Sequence, residues 1–521
     1  MVTLRDLAQR ARSGLNVSTD IVRGALTPTN PPQPGLVTYR IPLDGGQMRL
    51  HLRVAHDGSG VLFRDVTEVV HLNATATDIA KMALDGVPLT QAATSLQART
   101  RGASRRQIAK QAADIYRLVE VMRSHDAGCP TCALPDLPRT ALFSTPVHAP
   151  YKADLALTYG CNNACPHCYN EPSRYPMASL NKQQWFEIVN RLHEAGVPHL
   201  ILTGGEATLH PDLIDIIHYA DQLGHIVGLN TNGRRLAHPP FAGELADAGL
   251  NHVQITLGSS RADVHDAMMG ARSFDQTVKG IENALNSRLH TITNTTLMQP
   301  NMDHAEEIVD FLYTLGIRTF AMNGMIYSGG GFATPTAIPE EQMPGLLIRV
   351  RDHANRLGMR FLWYTPTEYC RMSPVELELG AKRCNAGEYS LCIEPNGDVL
   401  PCQSYYVTAG NILRDPWETI WRGDLFRSFR DRVDDPIWAG LPQKCWDCSD
   451  LPLCGGGCRI EREARDGFRL AEDAYAAGCT GCNTRTAHAS APSLQPIPLV
   501  FDGFVPSASL TNPIRRGSGI V

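Results

Sequence analysis

The sequence predicts an α/β fold. A parallel sheet rolled into a partial (β/α)6 barrel is preceded by a small winged-helix-like domain and followed by a cysteine-rich domain. Three observations predict this. Residues 151–345 repeat one beat six times: an apolar run, a loop of small polar residues, a helical pattern. Residues 36–125 hold short alternating runs and then three helical patterns. From Cys384 onward, cysteines arrive in closely spaced groups.

Composition narrows the class before any motif is read. The chain has 521 residues, enough for several domains and a large core. Its net charge of −5 gives no nucleic-acid footprint. No apolar run reaches the roughly 18 residues of a membrane span. No apolar segment behind Met1-Val-Thr-Leu-Arg-Asp6 reads as a secretory signal. Fifteen cysteines in such a chain point to metal or iron–sulfur ligation more than to disulfides. The expectation is a cytoplasmic protein with neither nucleic acid nor membrane as partner.

Residues 1–35 form a weakly patterned N-terminal segment ending in the turn-rich Thr27–Gly35. Alternating runs at 36–42, 48–54, 61–63 and 69–72, broken by Asp44-Gly-Gly46 and Asp57-Gly-Ser-Gly60, predict hairpin strands. Asn73 or Thr75 caps a helix to about Leu84, which Asp85-Gly86 stops. Helical patterns continue over 89–98 and 105–123, the second with Ile108, Ala112, Ile115, Leu118 and Val119 inward. The arginines at 99, 101, 105 and 106 read as a solvated face, not a DNA-reading stripe. Residues 126–150 are a linker. Its Cys129-Pro-Thr-Cys132 is open between a metal hook and an incidental pair.

The barrel strands are predicted at Ala153–Tyr159, Leu200–Thr203, Ile226–Leu229, His252–Leu257, Ile292–Met298 and Thr319–Met322. In such barrels the loops at the strands' C-terminal ends carry the chemistry. The first such loop is Cys161-Asn-Asn-Ala-Cys165-Pro-His-Cys168. Three thiolates on a tight loop can hold three irons of a [4Fe–4S] cube and leave the fourth iron open. A zinc loop is the other reading, but zinc sites arrive as paired CxxC hooks with four protein ligands. The second loop is Gly204-Gly205-Glu206, the third Asn230-Thr-Asn232-Gly233, and the fourth Thr256-Leu-Gly-Ser259. Residues 346–383 bridge to the last domain.

In residues 384–485, Cys384 and Cys402 flank Gly397, and Asn396-Gly397 predicts a hairpin turn between 391–394 and 398–400. Cys445, Cys448, Cys454 and Cys458 come next, and then Cys479 and Cys482. A zinc ribbon is one reading of such a set. Residues 486–521 are Ser/Pro-rich and read as a loosely ordered tail.

CxxxCxxC after the first barrel strand, with Gly-Gly-Glu after the second, resembles the radical SAM superfamily. The resemblance implies a partial TIM-like barrel binding a [4Fe–4S] cluster through Cys161, Cys165 and Cys168. It implies S-adenosylmethionine (SAM) chelating the open iron. Gly204 and Gly205 would let backbone approach its methionine part, and Glu206 would accept from its ammonium. Asn230, Asn232 and Thr256 stand where the family meets ribose and carboxylate. The family's Ser-Leu-Asp-Gly reads Thr256-Leu-Gly-Ser259 here and lacks its Asp. His167 takes the family's aromatic position.

The array from Cys384, with Gly410-Asn-Ile412 and Trp417–Trp421, resembles the SPASM extension, which holds two auxiliary clusters. By that pattern Cys384, Cys402 and Cys458 hold one, its fourth ligand being Cys370, Cys392 or open. Cys445, Cys448 and Cys454 hold the other, closed by Cys479 or Cys482. The order of residues 36–125, and the stretch Val69–Ile79, resemble the pyrroloquinoline-quinone peptide-chaperone fold. That fold is also called the RiPP recognition element, in which a leader peptide adds a strand to the sheet edge.

Together these resemblances imply a SAM-cleaving enzyme that crosslinks or oxidises a ribosomal precursor peptide, with ferredoxin or flavodoxin as reductant. A side-chain maturase of the anaerobic sulfatase type and a non-catalytic Fe–S scaffold are the rivals.

Overall fold

The computed structural model describes residues 30–43, 46–99, 104–124 and 141–465. Cys129, Cys132, Cys479, Cys482 and the Ser/Pro-rich tail lie outside the described residues. The chain divides into two compact units between Arg139 and Thr140.

The first unit contains a four-stranded antiparallel meander, β1 (Gly35–Leu43), β2 (Gly46–Val54), β3 (Gly60–Arg64) and β4 (Glu68–Leu72). Three helices come after it, at Ala74–Leu84, Leu89–Arg99 and Arg105–Arg123. Asn73 caps the first by accepting from the Ala76 backbone N–H at 2.9 Å. Ser104 and Gln107 form a reciprocal capping box on the third. Leu50, Leu52 and Val54 alternate along β2 and pack with Ala80, Leu84, Leu118 and Met122. A period of two thus meets a period of 3.6 across one core.

The second unit is organised by a nine-stranded sheet in the order β11-β10-β9-β8-β7-β6-β5-β12-β13. The strands are β5 (Lys152–Thr158), β6 (His199–Gly204), β7 (Ile226–Thr231), β8 (His252–Thr256), β9 (His290–Thr296), β10 (Thr319–Asn323), β11 (Arg360–Trp363), β12 (Ser390–Ile393) and β13 (Val399–Leu400). From β5 to β11 every neighbouring pair is parallel. The mixed α/β fold with a partial barrel is the predicted one. Trp185, Ile188, Val189 and Leu192 recur at helical spacing on the Lys182–Glu194 helix and are fully buried. Each such side chain contributes roughly 1.5–3 kcal/mol by leaving water.

Two features differ from the sequence reading. Residues 346–383 are more than a bridge, because β11 adds a seventh parallel strand beside β10. The Asn396-Gly397 hairpin forms, but its first strand also pairs in parallel with β5, Ser390 opposite Lys152 through Ile393 opposite Leu155. The cysteine-rich region therefore extends the barrel sheet directly. A buried polar knot pins this junction. Glu394 is 1% exposed; it accepts from Tyr159 Oη at 2.8 Å and from Arg174 Nη1 at 2.9 Å.

Candidate active site

β5 carries a register shift against β6 between Ala156 and Thr158, just before the cysteine loop. Such an irregularity bends a strand and re-aims the loop that leaves it. The loop is then clamped from three sides. From the turn after β7, Arg234 donates to the Asn162 carbonyl and to Asn163 Oδ1, the latter at 3.0 Å. From the segment after β10, Gly330 N donates to the Cys168 carbonyl at 2.7 Å and Thr334 Oγ1 to the Pro166 carbonyl at 2.8 Å. From the Ala262–Met269 helix end, the Met269 carbonyl accepts from Ala164 N at 3.1 Å. Cys165 packs onto a cluster of Met268, Met269, Met298 and Met325. A polarizable thioether wall suits a sulfur-rich group.

All three loop cysteines are free thiols. Cys161 is the exposed one, yet its thiol is held above the usual value by partial desolvation, then by the charges of Glu206 and Cys168. Cys165 is pushed up to about 12, first by burial, then by Cys168 and Cys161. Burial also raises Cys168. Among the described residues, no three Cys, His, Asp or Glu side chains converge on a single ion. A cube spreads its thiolates over separate irons and does not need that convergence.

The Gly-Gly pair has a local steric cause. Gly204 sits at φ +135°, and a Cβ there would stand 2.1 Å from the Thr158 carbonyl oxygen. A Cβ on Gly205 would meet the Tyr159 and Gly160 carbonyl oxygens at 2.5 Å. Gly205 N and Glu206 N donate to Thr158 O and Gly160 O at 2.7 and 2.9 Å. These glycines let the second loop lie against the strand end that launches the cysteines.

Glu206 is 1% exposed. Its Oε1 accepts from Thr208 N, Thr208 Oγ1 and Thr231 Oγ1 at 3.1, 2.5 and 2.7 Å. Its Oε2 accepts from Asn232 N at 2.8 Å, leaving one acceptor site. Asn232 Nδ2 in turn donates to Asn162 Oδ1 at 2.6 Å, so the second, third and cysteine loops form one polar net. Glu206→Gln is expected to put an amide N–H against Asn232 N–H. The cost is about 1–3 kcal/mol, read as a lowered melting temperature, and an unchanged one would refute this account of the net.

Asn230 is half-buried on β7 opposite Gln254, and Thr256 ends β8 opposite Asn294. Both lie at the strand ends that face the cysteine loop. In the Gly258-Ser-Ser stretch, His265 Nδ1 accepts from Gly258 N at 3.1 Å, and burial lowers its pKa to about 4. Asn301 Nδ2 donates to the Gly258 and Thr296 carbonyls at 2.9 and 2.8 Å. His167 is lowered by burial, and its Nδ1 has no hydrogen-bond partner among the described residues. Sequence reasoning missed Arg234, Asn301 and the methionine wall. The Ser328-Gly-Gly-Gly331 run was a visible signal for close backbone approach: a Cβ on Gly330 would stand 2.3 Å from Pro166 O.

Among the described residues, the cysteines of the C-terminal region form two sets. Burial, then Cys384, pushes Cys402 up to about 12. Cys458 is raised by burial, then by Cys384, and also by Cys402. Cys392, in β12, is fully buried against Ala156, Tyr159 and Leu400. The second set is Cys445, Cys448 and Cys454, which line one recess. Cys370, predicted as a candidate for the first set, lines that second recess instead.

Residues 155–312 match the radical SAM superfamily, and residues 384–449 match SPASM, an iron–sulfur cluster-binding domain. The mycofactocin maturase MftC of Mycolicibacterium smegmatis is 30% identical over 332 residues, covering 61% of this chain and 80% of that one. The chain belongs to the radical SAM superfamily. This radical SAM enzyme carries the SPASM domain, and its cofactors are a [4Fe–4S] cluster with SAM and auxiliary iron–sulfur clusters. The PqqA peptide cyclase of Streptomyces rochei is 29% identical, covering 63% of this chain and 88% of the relative. An AdoMet-dependent heme synthase of Methanosarcina barkeri is 27% identical, covering 63% and 96%. Among solved structures, SuiB of Streptococcus suis bound to precursor peptide SuiA shares the fold with a TM-score of 0.58 at 17% identity, covering 81% of this chain and 96% of that one.

Proposed function

We propose that this radical SAM enzyme modifies a ribosomally made precursor peptide. The first unit would hold the leader by strand addition, and the core would enter the barrel mouth. The observation that carries this reading is the first unit itself. Its meander leaves β1 and β4 at the sheet edges among the described residues, and an edge strand offers unpaired backbone groups to an extended peptide. The named activity of the PqqA relative and the peptide in the SuiB complex support it. Leader binding raises the effective concentration of the core at the barrel.

In this reading Cys161, Cys165 and Cys168 hold the SAM-binding cluster. When bound, cluster and SAM supply a one-electron cleavage that yields methionine and a 5′-deoxyadenosyl radical. Glu206 Oε2 offers its remaining acceptor site to the methionyl ammonium. Asn230, Asn232 and Thr256 offer polar groups to ribose and carboxylate. Cys384, Cys402 and Cys458 hold one auxiliary cluster, and Cys445, Cys448 and Cys454 take part in the other. Ferredoxin or flavodoxin would deliver the electron. Among the described residues no helix is long and apolar enough to cross a membrane.

A heme-synthase-type activity is the second reading, favoured by the 96% coverage of that relative. The deciding experiment is anaerobic. Reduced, reconstituted protein is given SAM with a candidate precursor peptide or with an iron porphyrin, and each is followed by mass spectrometry with 5′-deoxyadenosine. A peptide mass change coupled to deoxyadenosine is expected. Deoxyadenosine with an unaltered peptide and a consumed porphyrin would favour the second reading. Deletion of residues 1–125 is expected to preserve uncoupled SAM cleavage and weaken peptide binding at least tenfold. Unchanged affinity would remove the leader-binding role of the first unit.

A further inference from the structure

The recess that holds Cys445, Cys448 and Cys454 has a fourth thiol in its wall, and it comes from upstream of the SPASM match. Cys370 lines the same recess, a space of about 320 Å³ with its solvent mouth included. The matched domain begins only at residue 384. Two contacts bind the segment around Cys370 to the cysteine loop. Tyr369 N donates to Cys454 Sγ at 3.3 Å. Lys444 Nζ, beside Cys445 in sequence, lies 3.7 Å from Cys370 Sγ. Backbone N–H groups and cations aimed at sulfur are what a thiolate-ligated cluster uses to spread its negative charge.

The backbone is shaped for this approach. Gly455, Gly456 and Gly457 come directly after Cys454 with φ of +61°, +77° and +70°. A Cβ on Gly457 would stand 2.8 Å from Glu368 N. Three successive left-handed residues turn the chain tightly over the 367–369 segment, a path costly for other residue types. The same turn carries Cys458 away to the Cys384 and Cys402 set. Glu368, 5% exposed, pairs with Lys444 at 3.4 Å and Arg465 at 3.2 Å, fixing the segment at the recess wall.

We propose that Cys370 is the fourth protein ligand of the second auxiliary cluster, closing the site formed by Cys445, Cys448 and Cys454. The proposal rests on the auxiliary-cluster reading of these cysteines. A cluster saturated by four thiolates keeps no open iron, so this site would pass electrons and bind no substrate atom. Cys479 and Cys482 would then not be its ligands. Cys370 would also be removed as a ligand of the first auxiliary site.

The test uses the full chain in a C161A/C165A/C168A background, so that only auxiliary iron is counted. Cys370→Ala, Cys445→Ala and the double variant C479A/C482A are reconstituted in parallel, with iron analysis and EPR of the reduced protein. Cys370→Ala and Cys445→Ala are expected to lose or alter the same EPR component, with auxiliary iron falling by up to about half. C479A/C482A is expected to keep both the iron and the spectrum of its parent. Cys370→Ser guards against a folding defect: a serine ligand should retain iron and shift the signal. Full iron with an unchanged spectrum in both Cys370 variants overturns the proposal, as does loss of that component in C479A/C482A. A parent without auxiliary iron would defeat the cluster reading itself, and the proposal with it.

Discussion

Replacing Cys161, Cys165 and Cys168 together by alanine is expected to abolish 5′-deoxyadenosine formation while auxiliary iron stays bound. The loop's shape depends little on its sulfurs. Arg234, Gly330, Thr334 and Met269 hold it through the Asn162, Cys168 and Pro166 carbonyls, Asn163 Oδ1 and Ala164 N. Asn163 N also donates to Cys161 Sγ at 3.4 Å, but sulfur is a weak acceptor and little is lost with it. Loss of the thiols should therefore cost the cluster without unfolding the barrel. The described C-terminal thiols stand on other segments, from Cys370 to Cys458. Iron per chain should fall by about a third if three four-iron clusters are present, and deoxyadenosine should drop below detection. Iron falling to zero would mean that the clusters assemble interdependently. Residual deoxyadenosine would mean that SAM is cleaved elsewhere.

The sequence made most of the site legible because the information is local. Each barrel strand announces itself by an apolar run, and each chemical loop leaves its strand directly. A capping residue places a helix start, as at Asn73. The edges of the sheet were less legible. β11 is only four residues, Arg-Phe-Leu-Trp, too short for a periodic signal. The pairing of β12 with β5 joins segments more than two hundred residues apart, and nothing in either run encodes the partner. The glycines also have a packing cause that the sequence does not show: a Cβ at Gly204 or Gly205 would collide with the Thr158–Gly160 carbonyls. Cysteine spacing has the same limit. It finds thiols that share a loop, such as Cys161, Cys165 and Cys168. It cannot place Cys370, which reaches the recess of Cys445, Cys448 and Cys454 through the packing of a distant segment.

Glu388→Ala is expected to destabilise the second unit by about 3–5 kcal/mol, the cost of breaking a buried ion network. Glu388 lies between two arginines. Arg432 Nη2 reaches its Oε2 at 2.8 Å and Arg383 pairs with its Oε1. The three side chains are only 3–6% exposed, so water cannot screen what remains when the carboxylate is gone. Both arginines also hold backbone. Arg383 Nη1 donates to Pro452 O at 2.9 Å, beside Cys454, and Arg432 Nη2 donates to the Cys384 carbonyl. The network thus spans both cysteine sets, and its loss should lower auxiliary iron as well as the denaturation midpoint. An apolar replacement of all three residues separates charge from contact. If unpaired buried charge is the main cost, Arg383→Met/Glu388→Leu/Arg432→Met should recover part of the stability lost in Glu388→Ala. Recovery should be incomplete, since Pro452 O and Cys384 O would each lose a donor at about 1–3 kcal/mol. Chemical denaturation of the three proteins reads this order. A Glu388→Ala midpoint equal to that of the parent would show that the network carries no weight in the fold.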